Sequence, residues 1–259
     1  MIVAIDIGNT NSVFGFFQKG KLVLERRASS TLRYTEDEIW VFFKHFCEQA
    51  KITPEGINGI VVASVVPELT RVFTGAFKKY LKAQPVIVSG SIDTGITLPY
   101  DDPSKLGADR ICAVVAALKK FGGPAIVVDF GTATTYDILS SKGEYLGGVI
   151  APGVRTAAKN LLENTAQLPN IEIQFPESII GKNTATAIQS GVMYGAVDAF
   201  EGMIRRLRRV AGKYATVIAT GGYAAKIGEM SNEIKYMEPH LVLEGARIIF
   251  ERVSKKVKK

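Results

Sequence analysis

Apolar residues occur along the chain in short runs that predict strands first and then helices alternating with strands. The run "IVAIDI" predicts a buried strand, and "SVFGFFQKGKLVLERRA" predicts two strands that turn at Lys19-Gly20. Apolar positions three and four residues apart in "TEDEIWVFFKHFCEQA" predict a helix, with Thr35 as N-cap and Glu38 completing a capping box. We expect a strand at "GINGIVVASVV", a helix at "PELTRVFTGAFKKYL" and a short strand at "PVIVS" to follow.

After a long loop and a helix, the same order of elements starts again at "PAIVVDF". A loop, "GSIDTGITLPYDDPSKLGADR", leads into a helix at "ICAVVAALKKF", and "PAIVVDFGTATTYDILSSKGEYLGGVIAPG" predicts three more strands. Helices are predicted at "GVRTAAKNLLENTAQL" and "NTATAIQSGVMYGAVDAFEGMIRRLRRV". "ATVIAT" predicts a buried strand that ends at Gly221-Gly222, and "HLVLEGARIIFERVSKK" predicts the last helix. The order β-β-β-α-β-α therefore occurs twice.

The two strand-rich openings also align with each other in sequence. "VAIDIGNTNSVFGF" and "IVVDFGTATTYDIL" place Asp6 opposite Asp129 and Gly8 opposite Gly131, each after an apolar strand and before small polar residues. One D-x-G turn alone is equally typical of an ordinary hairpin. Two of them, half a chain length apart, indicate a duplicated domain. We therefore expect an α/β fold of two duplicated domains, 1–115 and 116–259.

Composition is that of a folded globular protein. Of 259 residues, 47% are hydrophobic and 22% charged, and only the final "KKVKK" suggests disorder. Asp6 interrupts the first apolar run, so we expect no signal peptide. The longest apolar stretches are about eight residues, too short to span a bilayer. Two cysteines, Cys47 and Cys112, are too few for a disulfide framework, and we expect a cytoplasmic protein.

Positive charge does not by itself indicate a nucleic-acid partner. The net charge is +7, with basic blocks at "RRLRR" and at "KKVKK". A basic block on a predicted helix is usually a solvated face, and no helix-turn-helix, zinc-finger or RNA-binding motif accompanies it. A net positive charge also favours binding of small anionic ligands such as ATP. We expect no nucleic-acid partner and no membrane association.

The two D-x-G turns have the chemistry of a phosphate clamp. Glycine allows close approach, the following Asn, Thr and Ser side chains offer hydrogen bonds to phosphate oxygens, and the Asp suits a hard cation. Two such hairpins across an ATP cleft are the layout of the actin-like (ribonuclease H-like) ATPase superfamily. "VIATGG" is similar to the glycine-rich turn of that superfamily near the adenosine, although Gly-Gly after a strand is usually only a turn.

Six motifs occur in an order that narrows the family: "DIGNTN", "LPYDDPSKLGADR", "VDFGTATT", "GGVIAPG", "GKNTATAIQSG" and "ATGG". Together they resemble type III pantothenate kinase over essentially the whole chain, with no departure at the motif positions. The resemblance implies a dimeric cytosolic enzyme that phosphorylates the primary hydroxyl of pantothenate with ATP, the first step of coenzyme A biosynthesis. It also implies a divalent metal (Mg²⁺) and a monovalent cation (K⁺ or NH₄⁺).

The resemblance further implies a set of site residues. Asp109 would be the general base, and Asp129 would bind the monovalent cation, while Asp6 would serve the divalent metal. The second subunit would complete the pantothenate site. The residues that would contact ATP are Asp6, Ile7, Gly8, Asn9, Thr10, Asn11, Ser12, Val13 and Thr132. Those that would contact pantothenate are Tyr100, Gly107, Ala108, Asp109, Arg110 and, from the second half of the chain, Thr184.

Asp109 suits the chemistry of an alcohol acceptor. A primary hydroxyl must lose its proton as it attacks phosphorus, and a positioned carboxylate can accept that proton. The ordinary alternative is that Asp109 interacts with the start of a helix, where Asp is favoured. Arg110 could meet a substrate carboxylate or form a surface ion pair. We interpret His45 and His240 as structural, because neither has a base-like or metal-binding partner in sequence.

Two other functions fit part of this pattern. One is a non-enzymatic relative, since the same family includes proteins described as accessory factors of transcriptional regulation. A pure regulator would not need Asp6, Asp109, Arg110 and Asp129 together. The other is a different small-molecule kinase or phosphohydrolase of the same fold, because fold does not determine substrate.

Overall fold

A computed structural model of the chain describes residues 1–163 and 171–257. Two compact units are present. The first is Met1–Lys119 together with the segment from His240 to the end of the described residues, and the second is Lys120–Pro239. The last helix thus groups with the first unit, whereas the sequence pattern places it in the second half. The predicted domains, 1–115 and 116–259, are the two copies of the sequence repeat, and this division stays a prediction.

The first unit is built on a mixed five-stranded sheet with the order β3-β2-β1-β4-β5 among the described residues. β1, β2 and β3 are antiparallel neighbours, and β1, β4 and β5 run parallel. The strands are β1 (Ile2–Ile7), β2 (Asn11–Gln18), β3 (Lys21–Ser29), β4 (Gly59–Ser64) and β5 (Val86–Ile87). Its helices are α1 (Glu36–Gln49), α2 (Pro67–Leu81), α3 (Ala108–Phe121), which ends at the unit boundary, and α7 (Leu241–Val257).

The second unit repeats that sheet. Counted from the edge strand β8, its described strands have the order β8-β7-β6-β9-β10. This is the order of the first sheet with each strand replaced by its equivalent in the repeat. The strands are β6 (Ala125–Phe130), β7 (Ala133–Leu139), β8 (Tyr145–Pro152), β9 (Thr216–Thr220) and β10 (Tyr236–Met237). The helices are α4 (Val154–Glu163), α5 (Thr184–Ala211) and α6 (Ala224–Gly228). The α/β fold with a duplicated sheet is therefore confirmed.

Strand alternation explains why an acid lies within β1. Val3, Ile5 and Ile7 point into a core of aromatic rings from β2, α1 and α2, where Phe14 and Phe46 meet edge to face at 5.1 Å. Successive side chains of a strand point to opposite faces, so Asp6 is on the other face of the sheet. The same alternation in β6 sends Val128 and Phe130 into the second core and Asp129 away from it.

Most of the predicted elements are confirmed, and the differences are local. The capping box of α1 forms as expected, with Thr35 accepting from the N–H of Glu38. α3 begins at Ala108, three residues before the predicted start, which places Asp109 in its first turn. The predicted helix 153–168 is seen as far as Glu163, and its remainder lies outside the described residues. Among residues 1–163 and 171–257, none of the helices combines the length and apolar character that a membrane span needs.

Candidate active site

The first D-x-G turn joins β1 to β2 in the first unit. Asp6 pairs with Val13 across the hairpin and is half-buried. The turn is closed by the N–H of Gly8 donating to the carbonyl of Asn11 at 3.0 Å. The tip of the turn, residues 9–11, is exposed, as a loop that receives a ligand must be. Ile7, by contrast, is fully buried and anchors the strand.

The far side of this turn is fastened to β3. The N–H of Ser30 donates to the carbonyl of Thr10 at 2.9 Å. Ser12 is buried, and its hydroxyl lies 2.8 Å from the hydroxyl of Ser30. Ser12 was expected to contact ATP, and the structure places its hydroxyl in a contact that holds the turn in shape.

Asp109 lies at the start of α3, after a 3₁₀ turn at Pro103–Lys105. Its Oδ1 accepts a hydrogen bond from the N–H of Arg110 at 2.8 Å. Burial raises the pKa of Asp109 above its ordinary value, and this outweighs the hydrogen bond and the positive charge of Arg110, which lower it. An ideal Cβ on Gly107 would stand 2.5 Å from Oδ1 of Asp109, so glycine leaves the space that the carboxylate occupies.

Asp6 and Asp109 lie near the same buried thiol. Burial raises the pKa of Cys112 well above its ordinary value, and the charges of Asp6 and Asp109 raise it further. Cys112 is one turn beyond Asp109 on α3, and the backbone of Cys112 packs against Gly245 of α7. The two carboxylates that the sequence assigned to the metal and to the base therefore belong to one region of the first unit.

A cavity of about 680 Å³ in the first unit is lined in part by the residues that come just before Asp109 in sequence. It includes Gly107 and Ala108, the two residues that precede Asp109, and it opens beside Ser64 at the carboxyl end of β4. Arg71 and Lys105 are its charged lining residues, and no carboxylate lines it among the residues that the structure describes. Its remaining polar side chains are the hydroxyls of Ser64, Thr70, Thr74, Ser89 and Ser104. Such a lining suits an anionic ligand.

The other residues expected around pantothenate differ in solvent exposure and in their position in the fold. Arg110 is buried, with 8% of its surface exposed, whereas Tyr100 is 38% exposed in the loop before α3. Thr184 lies in the second unit and is exposed at the first position of α5. The cap of that helix is Asn183, whose side chain accepts from the N–H of Thr186 at 2.9 Å. Thr184 is thus not the cap residue.

The second D-x-G turn joins β6 to β7 and is one residue shorter than the first, with the N–H of Gly131 donating to the carbonyl of Ala133 at 3.1 Å. Asp129 occupies the same position of β6 as Asp6 does of β1, and it pairs with Thr135 on β7 and Thr220 on β9. Thr132 is exposed at the tip. The carbonyl of Thr132 accepts from the N–H of Gly153 at 3.1 Å and from the hydroxyl of Thr156 at 2.6 Å, so the start of α4 holds this turn.

Comparisons with known protein sequences indicate one family. The sequence profile described as type III pantothenate kinase matches residues 2–206. A type III pantothenate kinase of Moorella thermoacetica is 44% identical over 252 residues, covering 97% of this chain and 99% of its own. One of Bacillus cytotoxicus is 43% identical, covering 97% and 96%.

The chain belongs to the type III pantothenate kinase family.

A more distant solved structure shares the fold of this type III pantothenate kinase family member. The activator of 2-hydroxyisocaproyl-CoA dehydratase from Clostridium difficile, solved with bound ADPNP, superposes with a TM-score of 0.58 at 14% identity. The match covers 99% of this chain and 97% of the other. At this level of identity the likeness concerns the fold alone.

The family resemblance implies two cations, and the described side chains can be tested as their ligands. No group of three or more His, Cys, Asp or Glu side chains that could hold a metal ion occurs in the described part of the chain. Mg²⁺ commonly takes only one or two carboxylates and otherwise binds phosphates and water, so a single Asp6 fits that use. Asp129 is half-buried, and an ideal Cβ on Gly131 would stand 3.3 Å from its Oδ1, so the carboxylate packs against the turn and is the type of anionic ligand that a cation prefers.

Sequence reasoning did not find the residues of the cavity beside Asp109. Arg71 is an ordinary helix residue in sequence, and its place on the lining depends on how α2 packs beside β4 and the loop before α3. One signal was available, because β4 is a parallel strand that ends at Ser64. Ligands of α/β sheets bind outside the carboxyl ends of such strands.

Proposed function

We propose that this protein transfers the γ-phosphoryl group of ATP to the primary hydroxyl of pantothenate, the first step of coenzyme A biosynthesis. The observation that carries the proposal is membership of the type III pantothenate kinase family over almost the whole chain. The two D-x-G turns, and the half-buried carboxylate of Asp109 next in sequence to residues that line a cavity, give it a chemical basis. As for the family, we expect a cytoplasmic enzyme.

In this proposal Asp109 is the general base. As the hydroxyl oxygen of pantothenate forms a bond to the γ-phosphorus, its proton passes to the carboxylate of Asp109, and the bond to the bridging oxygen of ADP breaks. The raised pKa of Asp109 supports this role, because a more basic carboxylate accepts a proton more readily. The adjoining cavity supports an acceptor on this side of Asp109, with its anionic end toward Arg71 and Lys105.

The phosphates of the nucleotide would be held by residues of the D-x-G turns. The exposed backbone and side chains of Asn9, Thr10 and Asn11 would contact phosphate oxygens, with Thr132 contributing from the other turn. Ile7, Ser12 and Val13 would hold that turn from behind. Asp6 would hold Mg²⁺, and Asp129 would hold K⁺ or NH₄⁺. When bound, these cations supply positive charge that offsets the charge of the phosphates.

We propose a homodimer in which Thr184 completes the pantothenate site of its partner. A groove of about 720 Å³ in the second unit runs beside α5 and is mostly apolar, with Thr184 on its lining. Along α5, small residues are exposed at helical spacing, and large apolar side chains are exposed nearby. These exposed residues are Ala187, Gly191, Gly195, Ala199, Leu161, Ile179 and Ile180. An apolar groove with exposed apolar residues on its lining supports a subunit interface.

The test is release of ADP from ATP that depends on pantothenate, measured with and without potassium. We expect turnover only when pantothenate is present and a clear increase with potassium. Asp129→Asn should mainly weaken the response to potassium, and Asp6→Asn the use of Mg²⁺ and ATP. No pantothenate-dependent turnover would overturn the proposal, and a panel of other alcohols would then identify a different acceptor. Turnover with no acceptor would instead favour a phosphohydrolase.

A further inference from the structure

The glycine-rich turn after β9 lies directly against Asp129. Gly221 has φ +92°, a backbone conformation that glycine adopts readily and other residues rarely do. An ideal Cβ on Gly221 would stand 2.3 Å from Oδ1 of Asp129 and 2.6 Å from the backbone nitrogen of Phe130. These distances are far inside van der Waals contact, so any side chain at residue 221 must displace the carboxylate or the strand that carries it.

Strand register explains this contact. Asp129 pairs with Thr220 on the parallel strand β9, and Gly221 is the next residue. The chain then folds back toward β6, where the N–H of Tyr223 donates to the carbonyl of Phe130 at 3.2 Å. The turn and the end of β6 are therefore joined both by close packing and by a hydrogen bond.

The first unit does not have this glycine. There Asp6 pairs with Ala63 on β4, and the residue after Ala63 is Ser64. The duplicated fold therefore accommodates a side chain beside Asp6 at the position where the second unit has Gly221 beside Asp129. The requirement for glycine is thus particular to Asp129 and is not a general feature of this fold.

We propose that Gly221 is the positioning residue for the carboxylate of Asp129, and that it couples the glycine-rich turn to the monovalent cation. The proposal rests on the function proposed above, in which Asp129 binds that cation. A cation held by Asp129 fixes the carboxylate against Gly221, and a displaced turn displaces the carboxylate. Cation binding and the conformation of the 221–223 turn therefore favour each other, and such coupling acts equally in both directions.

The test compares Gly221→Ala with Gly222→Ala by thermal unfolding in potassium chloride and in choline chloride at equal ionic strength. Gly222 is the matched control, because an ideal Cβ there meets no atom within 4 Å. We expect potassium to raise the unfolding temperature of the wild type and of Gly222→Ala, but not of Gly221→Ala. In activity assays the potassium concentration for half-maximal stimulation should rise about tenfold or more for Gly221→Ala, as is usual when the support of a metal ligand is lost.

A second variant keeps the test decisive if Gly221→Ala does not fold. The Cβ of Gly131→Ala would stand 3.3 Å from the same Oδ1 of Asp129, and Gly131 has no left-handed φ, so this variant should reduce the potassium shift while the protein stays folded. A wild-type potassium shift in Gly221→Ala, or in Gly131→Ala where Gly221→Ala does not fold, would overturn the positioning role alone. No potassium shift in the wild type would overturn it together with the cation role of Asp129, while pantothenate-dependent turnover would still test the kinase activity separately.

Discussion

The backbone N–H of Arg110 donates to Oδ1 of Asp109 over 2.8 Å, at the first turn of α3. This bond favours the ionised carboxylate, and burial favours the protonated one. Burial has the larger effect, so the pKa of Asp109 is raised. The carboxylate is held in one orientation by the hydrogen bond and made more basic by its surroundings, and both properties suit a general base.

Asp109→Asn should lower turnover by about 10²- to 10⁴-fold, because it keeps the shape of the side chain and removes the proton acceptor. The protein should fold with an unfolding temperature at neutral pH equal to or above that of the wild type. The reason is that an ionised carboxylate whose pKa is raised by burial costs folding free energy above that pKa, and asparagine does not. Steady-state kinetics and thermal unfolding check both parts. Wild-type turnover would remove Asp109 from the base role.

The fall of kcat/KM at acid pH should report the ionisation of Asp109. The base must be deprotonated, so kcat/KM should fall as the pH drops through the pKa of Asp109. Because that pKa is raised, this fall should lie above 3.8, the ordinary value for an aspartate. The measurement is kcat/KM for pantothenate against pH, with circular dichroism to confirm that the protein stays folded. A fall at or below 3.8 would contradict the raised pKa.

Arg71→Gln should raise the KM for pantothenate by about ten- to a hundredfold, the usual cost of losing a charged hydrogen bond to a ligand. Arg71 lines the cavity beside Gly107, and pantothenate is an anion. The analogue in which a hydroxymethyl group replaces the carboxylate should show no such rise. Lys78→Gln is the matched control, since it removes one positive charge from the same helix outside the cavity. Equal KM values for Arg71→Gln and the wild type would exclude Arg71 and leave Lys105 or Arg110 as the partner of the carboxylate.

Much of the fold was predictable, because the local sequence patterns and the internal repeat indicate the same helices and strands. The capping box of Thr35 and Glu38 defines where α1 starts, and the alignment of Asp6 with Asp129 indicates the duplication from sequence alone. The packing of α7 with the first unit was not predictable, because no local signal states which sheet a terminal helix covers. The cavity and the contact of Gly221 with Asp129 were missed for the same reason, since both join residues far apart in sequence.

The loop before α3 should become less firmly attached at low pH. Arg252 donates to Asp93 at 2.8 Å, and Lys256 also contacts that carboxylate, so α7 is tied to the loop. These two cations lower the pKa of Asp93 to about 2. A lowered pKa means that the stabilisation is complete above the ordinary value of 3.8 and is lost as the pH falls toward 2. Asp93→Asn should therefore lower the unfolding temperature at pH 7, with a difference from the wild type that shrinks below pH 4. A constant difference at all pH values would contradict the ion pair.

The shared site predicts that two inactive variants restore activity when they are mixed. Asp109→Asn removes the base in one half of the chain, and Thr184→Arg places a bulky group in the other half. Thr184→Arg is preferable to Thr184→Ala, because alanine leaves more residual activity. Each variant alone should be nearly inactive, and each should remain folded, since Thr184 is exposed and is not the cap of α5.

If subunits pair at random, about half of the dimers contain one chain of each kind. In a shared-site dimer, one composite site of the mixed dimer then carries both substitutions and the other carries neither. About a quarter of wild-type activity should therefore return after subunit exchange, which is followed independently by mass spectrometry of differently labelled chains. If each site were instead built from one chain, every site would keep one substitution. Mixed dimers without any recovered activity would then show that Thr184 does not serve the site of its neighbour.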